Sequence, residues 1–180
     1  MRHASRPTLV ALTSLVLAAC GGGDRGASSD TAAAAGGATA TAGSAGGATD
    51  LVAVGEQKYQ QICASCHQAN GQGIEGNFPP LAGSEWVVGQ PEVPIAIVLH
   101  GLQGEVKVKG ATYNGAMQPW GMMGDEDIAA VLTYVRQAWG NSASAITPAQ
   151  VKAVRDKAGA RAAWTAEELR TAYPGAGTTS

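Results

Sequence analysis

The chain is poor in the residues that ordinarily fill and tie down a protein core. Nine aromatic side chains, three cysteines and three histidines serve 180 residues, and only 14% of positions are charged. The formal charge is -2, and the absence of a basic stripe excludes nucleic acid as a partner. Long apolar runs are missing too. The run from Thr8 to Ala19 covers twelve residues, too few to span a bilayer as a helix. Structural zinc needs four ligands, and beyond His3 and Cys20 only Cys63, Cys66, His67 and His100 have strongly zinc-binding side chains. No second Cys-x-x-Cys exists, which argues against zinc.

What is present at the N-terminus is a targeting pattern. Arg2 and Arg6 precede the apolar run, which ends in Leu17-Ala18-Ala19-Cys20, so residues 1–19 read as a signal peptide. The ending resembles the lipobox of bacterial lipoproteins, in which the cysteine becomes the first mature residue and carries acyl chains. That resemblance makes Cys20 the lipidated residue and accounts for the odd third cysteine. Residues 20–50 follow as a Gly/Ala/Ser/Thr stretch with too little apolar bulk for a core, a flexible tether spanning roughly 30 Å as a random coil. Loss of residues 1–19 takes Arg2 and Arg6 with it and leaves 10 basic and 14 acidic residues. The implied location is the periplasmic side of a bacterial membrane, with membrane contact through the lipid.

The central motif is Cys63-Ala64-Ser65-Cys66-His67, the attachment signature for c-type haem. On a helix, positions i, i+3 and i+4 share a face, so both sulfurs can reach the haem vinyl groups while His67 turns toward the iron. A thioredoxin-like pair would sit after a strand in a βαβ unit, whereas Gly55 to Ile62 reads as a helix. One covalent haem c per chain is expected, and the porphyrin would supply the apolar mass that nine aromatics do not.

The remaining pattern is helical. Leu51 to Ile62 presents Val54, Tyr59 and Ile62 on one face, and Gly55 permits close approach of a partner helix. That partner is expected at Asp125 to Ala138, with Ile128, Val131, Leu132 and Val135 in helical period and Gly140 as the stop. Pro94 to His100 reads as a short helix ended by Gly101. Val106 and Val108 alternate with Lys107 and Lys109, a small hairpin closing near Gly110. Thr147-Pro148-Ala149-Gln150 and Thr165-Ala166-Glu167-Glu168 have the form of helix starts, which predicts helices over about 148–158 and 165–172. These would pad the domain or dock a partner.

Between Leu51 and Asn141 the residues resemble a class I cytochrome c domain. That family sets a Gly and an aromatic, four apart in the first helix, across an aliphatic and a Tyr three apart in the last. Gly55, Tyr59, Val131 and Tyr134 fit. A Pro followed by a Leu a dozen residues after the haem histidine is matched by Pro79-Pro80-Leu81. The resemblance implies an all-α cytochrome c fold around one haem over 51–141, with 142–180 as a helical extension. It also implies that the Pro79 carbonyl, or failing that Pro80, holds the His67 ring. The sixth iron ligand comes from a loop Met before the last helix, which selects Met117 in Asn114-Gly115-Ala116-Met117-Gln118-Pro119-Trp120. Gln118 stands where the family often has Pro. Met122 and Met123 are competitors that read as core filler, and His100 reads as a structural histidine. Tyr113, Trp120 and Trp86 are possible donors to haem propionates, although packing explains each equally well.

Gly71-Gln72-Gly73-Ile74-Glu75-Gly76 matches the dinucleotide fingerprint by letter. It follows a helix and runs into Asn77-Phe78-Pro79-Pro80, so it lacks the strand and helix that motif requires. It is expected to be a flexible loop carrying the chain around the haem edge. With no nucleophile, acid–base pair or open metal position, the chain reads as an electron carrier and not an enzyme. Its expected partners are redox proteins: a dehydrogenase, an oxidase or a reductase. The alternatives are a haem subunit of a periplasmic dehydrogenase or oxidase complex and, from another class, a haem ligand sensor or peroxidase with a free sixth position.

Overall fold

The computed structural model describes residues 45–178, with side chains from Asp50 onward. The expected signal peptide, Cys20 and most of the tether lie outside the described residues. Seven helices and one two-stranded sheet follow in the order α1 (Ala45–Ile62), α2 (Ala64–His67), α3 (Glu85–Val88), α4 (Glu92–His100), β1 (Leu102–Val108), β2 (Ala111–Met117), α5 (Asp125–Gln137), α6 (Pro148–Ala158) and α7 (Ala166–Ala172). No helix among the described residues is long and apolar enough to cross a membrane. α1 begins six residues before the expected Leu51, because a helix nucleated by its packed face extends backwards at the gain of one bond per residue.

The α1–α5 crossing is the centre of the fold. A Cβ on Gly55 would lie 2.1 Å from the Ala130 carbonyl oxygen and 2.9 Å from the Tyr134 Cβ, so only glycine permits this approach. Four residues on, Tyr59 is fully buried, with its ring 5.5 Å from Tyr134 and 4.9 Å from Trp139. Its hydroxyl donates to the Gln68 carbonyl at 2.6 Å. Three of the four positions singled out in the sequence, Gly55, Tyr59 and Tyr134, meet here with Trp139, while the close backbone contact falls on Ala130, beside the buried Val131. α5 starts at Gly124 with no side-chain cap, and Asp125, Glu126 and Asp127 oppose the positive end of its dipole instead. Every residue from Ile128 to Arg136 is buried, since α1, α4 and α6 enclose the helix from several sides.

The hairpin is longer than its Val/Lys alternation announces. It pairs Leu102 with Met117 at its open end and Val108 with Ala111 at its tip. Lys109 and Gly110 both have positive φ, as a two-residue hairpin turn requires. Val106 and Tyr113 face inward together. The unannounced part, Gln103-Gly104-Glu105 against Asn114-Gly115-Ala116, has no β-branched residue and so leaves no strand signal. The short helix α3 holds the tip: Trp86 donates to the Lys107 carbonyl at 2.7 Å, and the Glu85 carboxylate accepts the Lys109 backbone N–H. Trp86 thus has its indole N–H committed to the protein.

The C-terminal extension belongs to the same core. Ile146, Val151 and Leu169 are fully buried with the residues of α4 and α5. Both expected capping boxes form, Thr147 with Gln150 and Thr165 with Glu168. The Arg136 side chain, 2% exposed, spends its donors on the carbonyls of Val87, Gly89 and Ser144 and on the Ser144 hydroxyl. Asn141 accepts from Gly83 N–H at 2.7 Å and donates to Val135 and Leu81 carbonyls. Together they join the end of α5, the segment before α3 and the start of the extension.

Candidate functional site

α1 ends at Ile62, and the chain turns at Cys63 into the single turn of α2. Cys63 N–H still bonds the Tyr59 carbonyl at 2.8 Å, and His67 N–H bonds the Cys63 carbonyl at 2.9 Å. Cys63, Cys66 and His67 therefore share one helical turn, as the spacing predicts. Both cysteines are free thiols, half-buried. Burial, and secondly the Cys66 thiol, push the Cys63 pKa up to about 11. A reactive redox pair needs the opposite shift, a lowered pKa, so the thioredoxin-like alternative finds no support here.

His67 is 9% exposed, and its Nδ1 lies 2.9 Å from the Pro79 carbonyl oxygen. A carbonyl can only accept, so Nδ1 carries the proton and Nε2 keeps its lone pair. Burial lowers the ring's pKa and the Pro79 bond raises it by less, which keeps the imidazole neutral as a metal ligand must be. The loop that delivers Pro79 is more ordered than its glycine content suggests. Gly73 N–H bonds the His67 carbonyl at 2.9 Å, Ile74 and Phe78 exchange two backbone bonds, and Leu81 N–H bonds the Gly71 carbonyl at 2.7 Å. Gly73 has φ of +65°, and a Cβ there would lie 2.2 Å from the Phe78 carbonyl oxygen, so the glycine is required by geometry.

Met117 is the last residue of β2, half-buried opposite Leu102. It enters on a strand end and not wholly within a loop. Beyond it, Trp120 N–H bonds the Val98 carbonyl at 2.8 Å and Met123 N–H the Trp120 carbonyl at 3.0 Å. Met123 packs on the core as expected, but Met122 is 96% exposed. Met122 corrects the core-filler expectation: of two adjacent side chains in this irregular segment only Met123 turns to the core, and Met122 points to solvent. His100 stands at the end of α4, edge-on to Trp164 with ring centroids 6.4 Å apart. Burial, then Arg161 and Arg155, lower its pKa, and its Nε2 has no protein partner among the described residues. Its place against the extension is that of a packed histidine.

Among the described residues no three His, Cys, Asp or Glu side chains converge as a metal cage. The donors present are a neutral imidazole with one nitrogen fixed and two unpaired thiols within a turn of it. That set fits a planar cofactor bonded through sulfur and ligated through Nε2. The chain matches the cytochrome c family model over residues 52–139. It is 42% identical over 136 residues to cytochrome c-552 of Thermus thermophilus, covering 63% of this chain and 91% of that protein.

The chain belongs to the cytochrome c family.

It is an electron-transfer c-type cytochrome, and its cofactor is covalent haem c. Similar segments occur in larger proteins. The cytochrome c subunit of the quinone alcohol dehydrogenase of Gluconacetobacter polyoxogenes is 32% identical over 106 residues, which is 57% of this cytochrome and 22% of that subunit. The cbb3-type cytochrome c oxidase subunit CcoP of an Azospirillum strain is 32% identical over 110 residues, 59% of this chain and 37% of that subunit.

The sequence reading missed two side chains of this cytochrome that shape the site. Asn141 ties Leu81, next to Pro79-Pro80, to α5. Arg155, from α6, bonds the segment between Met117 and α5. Neither sits in a motif, and their partners are distant in the chain, so no local pattern marks them.

Proposed function

We propose that the chain is an exported, lipid-anchored monohaem carrier that passes single electrons between redox proteins at the periplasmic side of a bacterial membrane. The observation that carries this reading is the 2.9 Å bond from His67 Nδ1 to the Pro79 carbonyl, which leaves Nε2 free within a turn of two reduced thiols. Cys63 and Cys66 would hold the haem through thioether bonds, and His67 and Met117 would ligate its iron. Bound haem supplies a reversible one-electron change at its iron. The protein keeps the ligand set fixed through that change: the Pro79 carbonyl orients the imidazole and sustains its basicity. A neutral thioether favours ferrous iron over ferric and so raises the potential relative to a second imidazole. With His67 and Met117 both holding the iron, no position would be left open for substrate.

Cys20 carries the lipid, and the Gly/Ala/Ser/Thr stretch between it and α1 would let the folded part range over the membrane surface. Dual or triple acylation would make detachment slow, since one chain alone anchors weakly. Donor and acceptor are a dehydrogenase and an oxidase or reductase, a reading supported by the recurrence of this segment in dehydrogenase and oxidase subunits. The same recurrence favours a second reading, a haem subunit that stays bound to one such complex.

The ferric absorption spectrum tests the carrier. It should be low-spin with a weak sulfur-to-iron charge-transfer band. A high-spin spectrum with ready binding of carbon monoxide or cyanide would replace the carrier by a ligand sensor or peroxidase. For the anchor, cells expressing Cys20→Ser should release the cytochrome into the soluble fraction, and continued sedimentation with membranes would refute lipidation as its attachment.

A further inference from the structure

The extension after residue 141 meets the segment around Met117 at two places. At the first, Trp164 N–H bonds the Gly101 carbonyl at 3.0 Å and the Trp164 carbonyl accepts Gln103 N–H at 2.8 Å. These bonds add a short parallel bridge at Leu102, the residue paired with Met117. At the second, Arg155 reaches from α6 into the segment between Met117 and α5. Its Nη1 donates to the Gly121 carbonyl, its Nη2 to the Met123 carbonyl at 2.9 Å, and its Nε to the Asp125 carboxylate at 2.9 Å. The Asp125 carboxylate also lies 2.8 Å from Nη2, so one carboxylate orients the guanidinium while its outer nitrogens take the loop carbonyls.

Gly121 and Met123 flank the exposed Met122 and have few other means of support. Gly121 is pressed so near α4 that a Cβ would lie 2.6 Å from the Leu99 carbonyl oxygen. A segment of Gln-Pro-Trp-Gly-Met-Met-Gly makes no helix or strand of its own, so its conformation is set by what grips its carbonyls. Guanidinium suits this task because its donors are fixed in a planar fork, where a lysine offers one mobile point charge.

We infer that Arg155 is a positioning residue for the sixth iron ligand. By fixing the Gly121 and Met123 carbonyls it keeps the Met117 segment closed over the haem. The extension is then a brace for the axial bond as well as core material. This rests on the reading that Met117 ligates the iron. Arg155→Ala removes both carbonyl bonds and the ion pair, and the sulfur should leave the iron more often.

The test compares holoprotein of wild type, Arg155→Ala, Arg155→Lys and Val151→Ala. The last deletes buried bulk from the same helix without touching the loop. Three quantities are read: hydrogen exchange of peptides covering 118–124, the rate of cyanide binding to ferric protein, and the melting temperature. Arg155→Ala should speed cyanide binding about tenfold or more, equivalent to about 1.4 kcal/mol, and raise exchange across 118–124. Arg155→Lys should fall between it and wild type, and Val151→Ala should lower the melting temperature with both other readouts near wild type. Wild-type cyanide binding and exchange in Arg155→Ala would overturn the inference. So would equal acceleration in Val151→Ala, which would make the effect one of stability alone. Should Arg155→Ala yield no holoprotein, Asp125→Asn replaces it, with acceleration expected and a wild-type rate overturning the inference. Met117→Ala run alongside separates the two claims: if it binds cyanide no faster than wild type, the ligand assignment fails, whereas the exchange result in Arg155→Ala still reports on the brace.

Discussion

The two axial sides of the site are built differently. On the histidine side the bonds among the ring, its loop and the end of α1 are local: His67 leans on Pro79, Gly73 on His67, Leu81 on Gly71 and Tyr59 on Gln68. All of these join residues within one stretch from Tyr59 to Ala82. On the methionine side the partners come from far away in the chain, with Val98 holding Trp120, Trp164 holding the strand beside Leu102 and Arg155 holding Gly121 and Met123. The His67 ring, the proposed permanent ligand, is thus held chiefly by a short loop, which Asn141 ties to α5. The segment of Met117, the proposed sixth ligand, is held by tertiary structure, and the strength of the proposed bond to iron should follow the stability of distant elements.

The largest effect expected is on the histidine side. Cys66→Ala should leave little stable holoprotein, because the covalent haem serves as core, and haem staining of a denaturing gel should be lost or nearly so. A variant that accumulates normally with covalent haem would show that this side is less self-contained than its bonds imply. Next, Met117→Ala should fold and keep its haem covalently, yet lose the sulfur-to-iron band and admit external ligands. Met117→His should remain low-spin with a lower potential, a fraction of the roughly 0.8 V over which axial ligation tunes haem iron. Retention of the band in Met117→Ala, with its loss in Met123→Ala, would move the ligand to Met123.

Smaller effects sharpen the contrast by stability. Gly55→Ala gains up to about 1 kcal/mol of helix propensity, but its methyl would sit 2.1 Å from the Ala130 carbonyl oxygen. Backbone must move, at a cost of about 1–3 kcal/mol or more, so a lowered melting temperature is expected with the charge-transfer band unchanged. A higher melting temperature would mean that the crossing is looser than described. Thr147→Ala removes one cap of α6, worth about 1 kcal/mol. It should lower the melting temperature slightly, with exchange across 118–124 near wild type as in Val151→Ala.

The same contrast explains what could be read from the sequence. Cys63, Cys66 and His67 are legible because covalent attachment and ligation demand fixed residue types at fixed spacing. The capping boxes at Thr147 and Thr165 are legible because a helix end is satisfied within four residues. The α1–α5 crossing came through resemblance, with Gly55 as its visible trace. By contrast, α3 is a single turn without a periodic signal, and the open half of the hairpin is built from Gln, Gly, Asn and Ala. Met122 and Met123 differ in exposure for a reason that lies in the path of their segment and not in themselves. Arg155 looks like any surface charge on an amphipathic helix until its distant carbonyl partners are known.

Arg136 sets a limit on modularity. The family model matches residues 52–139. Yet the guanidinium buried at the end of α5 is satisfied in part by Ser144. Transplanting 52–139 alone into another protein would leave a buried cation short of acceptors, which costs several kcal/mol. The portable unit in this chain is therefore longer than the span the family model matches, and its edge lies past Ser144.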